Sequence, residues 1–158
     1  MAGAQETQLV TLGLGAEVFG VPVAVVREIL DYRRPFAIPE GPPYLLGLID
    51  VRGQATPLLD LRLKLGLPAA EPGPTTRILV LDVPLADRVL TLGLVADRVI
   101  EVISVTAERI EPAPDIGVRW RADYIRGVVR SDAGFVVIFD LAPLLTTQET
   151  LLLTRDAA

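Results

Sequence analysis

The sequence of 158 residues contains neither cysteine nor histidine, and each absence removes a class of chemistry. Without cysteine there is no disulfide framework, no thiolate nucleophile and no cysteine-ligated metal. Without histidine the chain lacks the commonest general base and metal ligand, and also the residue that carries phosphate in a phosphohistidine. The sequence shows no glycine-rich phosphate loop, no serine in a nucleophile elbow and no cluster of carboxylates. We therefore predict no catalytic residue, no metal site and no cofactor.

Basic residues are too few and too scattered for nucleic acid or for an anionic membrane surface. Fifteen Lys and Arg stand against twenty Asp and Glu, which gives a formal charge of −5. A nucleic-acid-binding protein needs a basic face that neutralises phosphates. The most apolar window, Leu9 to Val26, is interrupted by glycines, Glu17 and Pro22. It predicts neither a secretory signal nor a membrane span, so we expect a cytoplasmic protein.

One segment of the chain occurs twice. Residues 44–61 return at residues 124–141, with Tyr, Gly and Asp-Leu in the same register. Each copy is typical of a strand, a tight turn, a second strand and the start of a helix, because apolar runs flank turn residues. Residues 20–30 likewise align with residues 93–103, and the second copy carries an insertion near residues 115–122. The repeats predict that an ancestral half was duplicated.

The repeats divide a single domain, residues 1–158, into two lobes. The predicted bounds are about 9–66 for lobe 1, 67–76 for a linker rich in proline and glycine, about 77–145 for lobe 2, and 140–155 for a C-terminal helical tail. About five short strands in each lobe, separated by turns, predict a pair of small barrels in a mostly β fold. A lobe of about seventy residues buries only ~60% of its unfolded surface, so we expect the lobes to share a core.

A short helix is predicted after Pro22 ends the preceding strand. From Val23 onwards, the apolar residues Val25, Val26, Ile29 and Leu30 fit one helical face. The charged residues Arg27, Glu28 and Asp31 would lie towards its other side. Glu28 recurs as Glu101 in the second copy, and a solvent-exposed charge is the ordinary interpretation of both.

Asp60 and Asp140 recur at the end of the repeated segment, where an apolar strand precedes a helical run. Recurrence in both copies favours an architectural role, in which each aspartate caps the N-terminus of a helix. An enzyme that uses carboxylates such as Asp60, Glu28 or Asp140 is the alternative hypothesis. It rests only on the acidic composition.

Arg52 lies in a tight turn where the other copy has Asp132, so the fold itself does not require arginine there. Three interpretations are open. Arg52 is an ordinary surface residue, it makes a planar bidentate contact with a carboxylate of a partner, or it forms an internal pair with Glu28 that orients it.

An ordered series of segments resembles the CheW family of chemotaxis coupling proteins. The segments are Phe-Gly-Val-Pro at 19–22, Val-Arg-Glu-Ile at 26–29, Gly-Leu-Ile-Asp-Val-Arg-Gly at 47–53, Pro-Leu-Leu-Asp-Leu-Arg at 57–62, Val-Ala-Asp-Arg-Val at 95–99 and Ile-Glu-Pro-Ala-Pro at 110–114. The likeness runs from about Leu9 to Leu153. Trp120 and its flanking arginines match no motif of the family.

The resemblance implies two five-stranded SH3-like barrels around a common core, and a non-enzymatic adaptor. The adaptor would link the cytoplasmic tips of methyl-accepting chemoreceptors to the regulatory domain of a CheA-type histidine kinase, at membrane-associated receptor arrays. The residues it implies for receptor binding are Val26, Glu28, Ile29, Arg52 and Val99. Gly47 matches a family glycine that either contacts the kinase or permits the turn. A related scaffold for a pilus or surface-motility pathway is the alternative.

Overall fold

The computed structural model describes residues 6–39, 41–112, 125–132 and 134–141. The strands in this part of the chain are β1 (Glu6–Leu14), β2 (Glu17–Pro22), β3 (Val26–Asp31), β4 (Leu45–Val51), β5 (Gln54–Asp60), β6 (Arg77–Pro84), β7 (Val89–Ala96), β8 (Arg98–Thr106), β9 (Ile125–Ser131) and β10 (Gly134–Phe139). Helix α1 is Leu61–Lys64, and single 3-10 turns cover Val23–Val25 and Ala107–Arg109. The predicted insertion with Trp120, and the predicted tail beyond Leu141, lie outside the described residues.

The strands form two five-stranded sheets whose orders are related by the repeat. Sheet I has the order β8-β1-β2-β10-β9, and sheet II has the order β3-β6-β7-β5-β4. Exchanging β1 to β5 with β6 to β10 converts one order into the other, which confirms the duplication. Each sheet takes the first hairpin of one repeat and the last three strands of the other. The sheets therefore do not coincide with the sequence lobes 9–66 and 77–145, because the chain changes sheet after the hairpin of each repeat.

Each sheet closes on itself as a small barrel. The edge strands of sheet II are β3 and β4, and Phe36, just after β3, exchanges two backbone hydrogen bonds of 2.8 and 2.9 Å with Leu48 of β4. In sheet I, Glu111, after β8, exchanges two bonds of 2.8 Å with Val128 of β9. Closure removes the exposed edges that an open sheet presents. We refer to the closed sheets as barrel I and barrel II.

The closure explains the glycine that both copies share. A Cβ atom on Gly47 would lie 2.1 Å from the carbonyl oxygen of Phe36, and one on Gly127 would lie 2.6 Å from that of Glu111. Gly47 also has a φ of +146°, which side chains disfavour. The segment that closes each barrel crosses directly over this glycine, so a larger residue would block closure.

Among the described residues, the hydrophobic core has three parts. The largest, the central core, takes residues from both barrels, such as Leu12 and Phe19 of barrel I and Leu79 and Leu94 of barrel II. Within it the rings of Phe19 and Phe139 stack at 5.0 Å. Smaller clusters fill barrel II (Ile49, Val51, Leu58, Ile78 and Val80) and barrel I (Leu9, Val105, Val129 and Ile138). Burying each large aliphatic side chain contributes about 1.5–3 kcal/mol. The expected shared core is confirmed.

The predicted helix after Pro22 is wrong. Val23–Val25 form one 3-10 turn, and Val26–Asp31 is strand β3, paired antiparallel with β6. The segment is too short for its apolar spacing to distinguish the helical period of about 3.6 residues from the strand period of 2. Its β-branched residues favour extended backbone, and pairing with the buried strand β6 decides the outcome.

Candidate functional site

A β-bulge decides which way the side chains of β3 point. The register with β6 places Val26 opposite Leu81, Glu28 opposite Val80 and Ile29 opposite Leu79, with the irregularity between Val26 and Glu28. Directly paired residues share a face of the sheet, and a bulge re-aims the residues beyond it. Leu79 and Leu81 belong to the central core, whereas Val80 lies inside barrel II. Val26 and Ile29 therefore face the space between the barrels, and Glu28 faces the other side.

The same device occurs on β8. Val99 pairs with Leu12, a residue of the central core, and the register shifts before Glu101 pairs with Thr11. Val26 and Val99 are both half-buried against the central core, and Ile29 is 43% exposed. The three apolar residues implied for receptor binding thus face the region between the barrels, with Val26 and Ile29 on barrel II and Val99 on barrel I.

Arg52 occupies a two-residue hairpin loop between β4 and β5. Val51 pairs with Gln54 across the loop, and φ is 51° at Arg52 and 84° at Gly53. Positive φ at both residues is the pattern of a type I′ turn, which matches the twist of the flanking strands. The carboxylate of Asp50 accepts a hydrogen bond of 2.8 Å from the Gly53 N–H and fixes the loop. Arginine is an unfavourable residue for this backbone conformation.

The guanidinium of Arg52 reaches Glu28 on the opposite edge of the same sheet. Nε donates to Oε2 at 3.0 Å, and Nη2 lies 3.5 Å from Oε1. The hydrogen bond to Glu28 raises the pKa of Arg52, and its negative charge adds to this effect. The Arg52 side chain is 76% exposed and that of Glu28 only 19%. Of the three interpretations left open by the sequence, the internal pair with Glu28 is present in the structure, and it leaves the cation accessible.

The other barrel cannot form the same pair. At the repeat positions of Glu28 and Arg52 it carries Glu101 and Asp132, which are two carboxylates. Both residues are exposed. The site at Arg52 is therefore a feature of one repeat only.

Asp60 caps helix α1, as predicted from its recurrence. Its carboxylate accepts a hydrogen bond of 3.3 Å from the Leu63 N–H. The helix expected after Asp140 lies beyond the described residues, so capping there stays a prediction. Within the described ranges, no three acidic side chains group into a metal site. The same ranges hold no helix that is long and apolar enough to cross a membrane.

Among the ion pairs that were not predicted from the sequence, two are short enough to be hydrogen bonds. Arg62 Nη2 lies 2.5 Å from Asp97 Oδ2, with both side chains partly shielded. Arg130 Nε donates to Glu111 Oε2 at 2.8 Å, on the exposed surface of barrel I. Comparison of the two repeats could have revealed the first pair. Asp97 corresponds to Ala24 and Arg62 to Ala142, so both charges occur in one copy and both are missing from the other.

Residues 8–149 match the family model of the CheW-like domain. The chain belongs to the CheW family. It is 31% identical over 145 residues to the probable chemotaxis protein CheW of Rhizobium etli, covering 92% of this chain and 91% of that protein. It is 30% identical over 151 residues to the chemotaxis protein CheW of Rhizobium meliloti, covering 96% and 92%.

The fold agrees with a solved CheW structure. The crystal structure of the scaffolding protein TtCheW from Thermoanaerobacter tengcongensis matches with a TM-score of 0.80 at 25% identity, over 93% of this chain and 92% of that one. The resemblance to the CheW family and the mostly β fold with two five-stranded sheets are thereby confirmed.

Proposed function

We propose that this chain is a non-enzymatic chemotaxis adaptor that couples the cytoplasmic tips of chemoreceptors to a CheA-type histidine kinase. The observation that carries the proposal is Arg52, an exposed cation that Glu28 holds at 3.0 Å. Glu28 adjoins Ile29, whose side chain faces the region between the barrels. Membership of the CheW family, with relatives named chemotaxis and scaffolding proteins, supports the same function.

The receptor contact combines an apolar surface with one oriented charge. A helical receptor tip lays its apolar side against Ile29 and the accessible parts of Val26 and Val99. A carboxylate of the receptor then takes the accessible side of the Arg52 guanidinium, whose planar fork favours a bidentate contact. Interfaces of this transient signalling type bury about 1,200 Å² or less, and a few residues supply most of the affinity.

The kinase contact is made by a different surface, since the adaptor has to hold both partners at once. Gly47 is buried, and the space above its Cα is filled by the backbone of Phe36. Its packing supports the structural interpretation of this glycine over a direct kinase contact. The complex assembles in the cytoplasm at membrane-associated receptor arrays. The names of the two bacterial relatives favour chemotaxis over a pilus or surface-motility output.

Assembly of purified components tests the adaptor function. The receptor tip is supplied as a coiled-coil fragment and the kinase as its regulatory domain, and both are run on size exclusion with light scattering, with and without this chain. We expect one complex that contains all three, which forms only when the chain is present. Asp132→Ala, at the repeat position of Arg52, serves as the matched control and should assemble normally. Failure of the chain to bind either partner would overturn the proposal.

A further inference from the structure

Asp97 is the residue at which the chain passes from barrel II to barrel I. Strand β7 of barrel II ends at Ala96, and β8 of barrel I begins at Arg98. The carboxylate of Asp97 accepts two hydrogen bonds from Arg62, from Nε to Oδ1 at 3.0 Å and from Nη2 to Oδ2 at 2.5 Å. It also accepts one of 2.6 Å from the Gly15 N–H, in the turn between β1 and β2 of barrel I. One side chain thus joins the two barrels.

Backbone contacts around Asp97 strengthen the same junction. Its N–H donates to the Gly13 carbonyl at 3.0 Å, and its own carbonyl accepts from the Thr75 hydroxyl at 2.9 Å. Arg62 Nη1 donates to the Pro68 carbonyl at 3.1 Å. Arg62 follows β5, and residues 68 and 75 lie between α1 and β6, so these groups belong to the barrel II side. The β1–β2 turn of barrel I is held against them.

The junction is present in one repeat only. The other passage between the barrels, from β2 to β3, has Ala24 where this one has Asp97, and Arg62 corresponds to Ala142. The duplicated fold makes the passage from β2 to β3 without these charges. The fold alone therefore does not require them at the passage from β7 to β8. The pair is also better shielded than the Arg52 pair, with 17% of the Arg62 side chain and 29% of the Asp97 side chain exposed. Partial shielding strengthens a charge-assisted hydrogen bond.

We propose that Asp97 and Arg62 are positioning residues, whose ion pair holds the two barrels at the spacing that the receptor contact requires. The inference rests on the proposed function, in which the receptor contacts Val26 and Ile29 of barrel II together with Val99 of barrel I. Val99 lies two residues beyond Asp97, at the start of β8, so the junction fixes the strand that presents it. Neither Asp97 nor Arg62 touches the receptor.

Loss of the pair lowers affinity by lowering the population of the binding-competent arrangement. The apparent dissociation constant rises in inverse proportion to that population. If one molecule in five keeps the competent spacing, binding weakens about fivefold. The chemistry of the contact surface is unchanged, so the effect arises without the loss of any receptor contact.

The spacing of the barrels can be measured directly, because the chain has no cysteine of its own. Cysteines introduced at Val89 of β7 and Val102 of β8, which are 60% and 56% exposed, carry one spin label on each barrel. Pulsed electron resonance then reports the distance distribution in the full chain without any partner. The variants are Asp97→Asn and Arg62→Lys, and the control is Arg130→Gln, which breaks an ion pair within barrel I.

We expect a narrow distribution for the unmodified pair and for Arg130→Gln, and a broader or shifted one for Asp97→Asn. Arg62→Lys keeps the charge but loses the planar fork, so its distribution should be intermediate. In a titration without labels, affinity for a receptor-tip fragment should fall about fivefold for Asp97→Asn and less for Arg62→Lys. If Asp97→Asn does not fold, Arg62→Lys carries the test.

Two outcomes separate the inference from the function on which it rests. If the unmodified chain binds the receptor fragment, and the variants keep its distance distribution and its affinity, the positioning role is overturned while the adaptor function stands. If the unmodified chain does not bind the fragment, the adaptor function fails. A broadened distance distribution in the variants would then still show that the ion pair sets the spacing of the barrels. The proposal that this spacing serves receptor binding would be contradicted.

Discussion

Arg52 and Glu28 join the two edge strands of barrel II through a hydrogen bond of 3.0 Å, although the arginine side chain is 76% exposed. The same arginine has a φ of 51°, and it is the one described non-glycine residue with a positive φ, so Asp132 at the repeat position does not share this conformation. Aspartate is among the residues that tolerate this region, and arginine is not. Backbone strain and an oriented, accessible charge at one residue support the proposal that this position serves a contact.

The strain at Arg52 can be measured by comparing two substitutions. Both Arg52→Asn and Arg52→Ala remove the pair with Glu28, but asparagine tolerates positive φ and alanine does not. We expect the asparagine variant to melt several degrees above the alanine variant in thermal unfolding followed by circular dichroism. Equal melting temperatures would show that the loop relaxes without strain.

Gly47→Ala should destabilise the protein strongly. The added Cβ would lie 2.1 Å from the Phe36 carbonyl oxygen, at a residue with a φ of +146°. We expect the free energy of unfolding in urea to fall by at least about 2 kcal/mol. Gly73→Ala is the matched control, because that position is open and should be neutral. A stable Gly47→Ala variant that loses only kinase binding would instead make this glycine a contact residue.

Asp60→Ala separates a helix cap from a catalytic carboxylate. Loss of the hydrogen bond to the Leu63 N–H should lower the free energy of unfolding by about 1 kcal/mol. Asp60→Asn keeps an acceptor and should lose much less. We expect both variants to bind the receptor fragment and the kinase domain as the unmodified chain does. An activity that disappears in Asp60→Asn at full stability would support the enzyme hypothesis.

The ion pair between Asp97 and Arg62 makes the free energy of unfolding depend on pH. Hydrogen bonds from Arg62, followed by that from the Gly15 N–H, hold the pKa of Asp97 below its ordinary value. A carboxyl with a lowered pKa in the folded state contributes stability above the unfolded value of about 3.9 and loses it as pH falls through the folded value. The difference in the free energy of unfolding between the unmodified chain and Asp97→Asn should therefore be largest at pH 7 and become smaller below about pH 4. A difference that stays constant to pH 2 would contradict this assignment.

Short-range patterns predicted the local features of this fold. Matching Tyr, Gly and Asp-Leu positions predicted the duplication, because a repeat is visible when the sequence is aligned with itself. The recurring Asp60 predicted the helix cap, because capping depends on neighbours in sequence. The difference between Arg52 and Asp132 pointed to the turn that we propose as the docking point. Sequence reasoning also offered Glu28 as a partner of Arg52, because the two residues carry opposite charges.

Long-range pairing could not be predicted in the same way. The choice of β6 as the partner of β3 depends on distant strands, and it replaced the helix expected after Pro22. The bulge in β3 decides that Val26 and Ile29, three residues apart, face the same side, and nothing in the local spacing signals it. The pair of Asp97 with Arg62 depends on where the chain changes barrel, which follows from the topology.

Titration of a receptor-tip fragment against Arg52→Asp tests the central claim most directly. Aspartate is one of the non-glycine residues that best tolerate a positive φ, so the turn should accommodate it and the urea midpoint should stay near that of the unmodified chain. Reversal of the charge should weaken receptor binding at least about tenfold, which corresponds to about 1.4 kcal/mol of binding free energy. Asp132→Ala, the control, should bind normally. Unchanged affinity of a folded Arg52→Asp variant would contradict the assignment of Arg52 as the docking point.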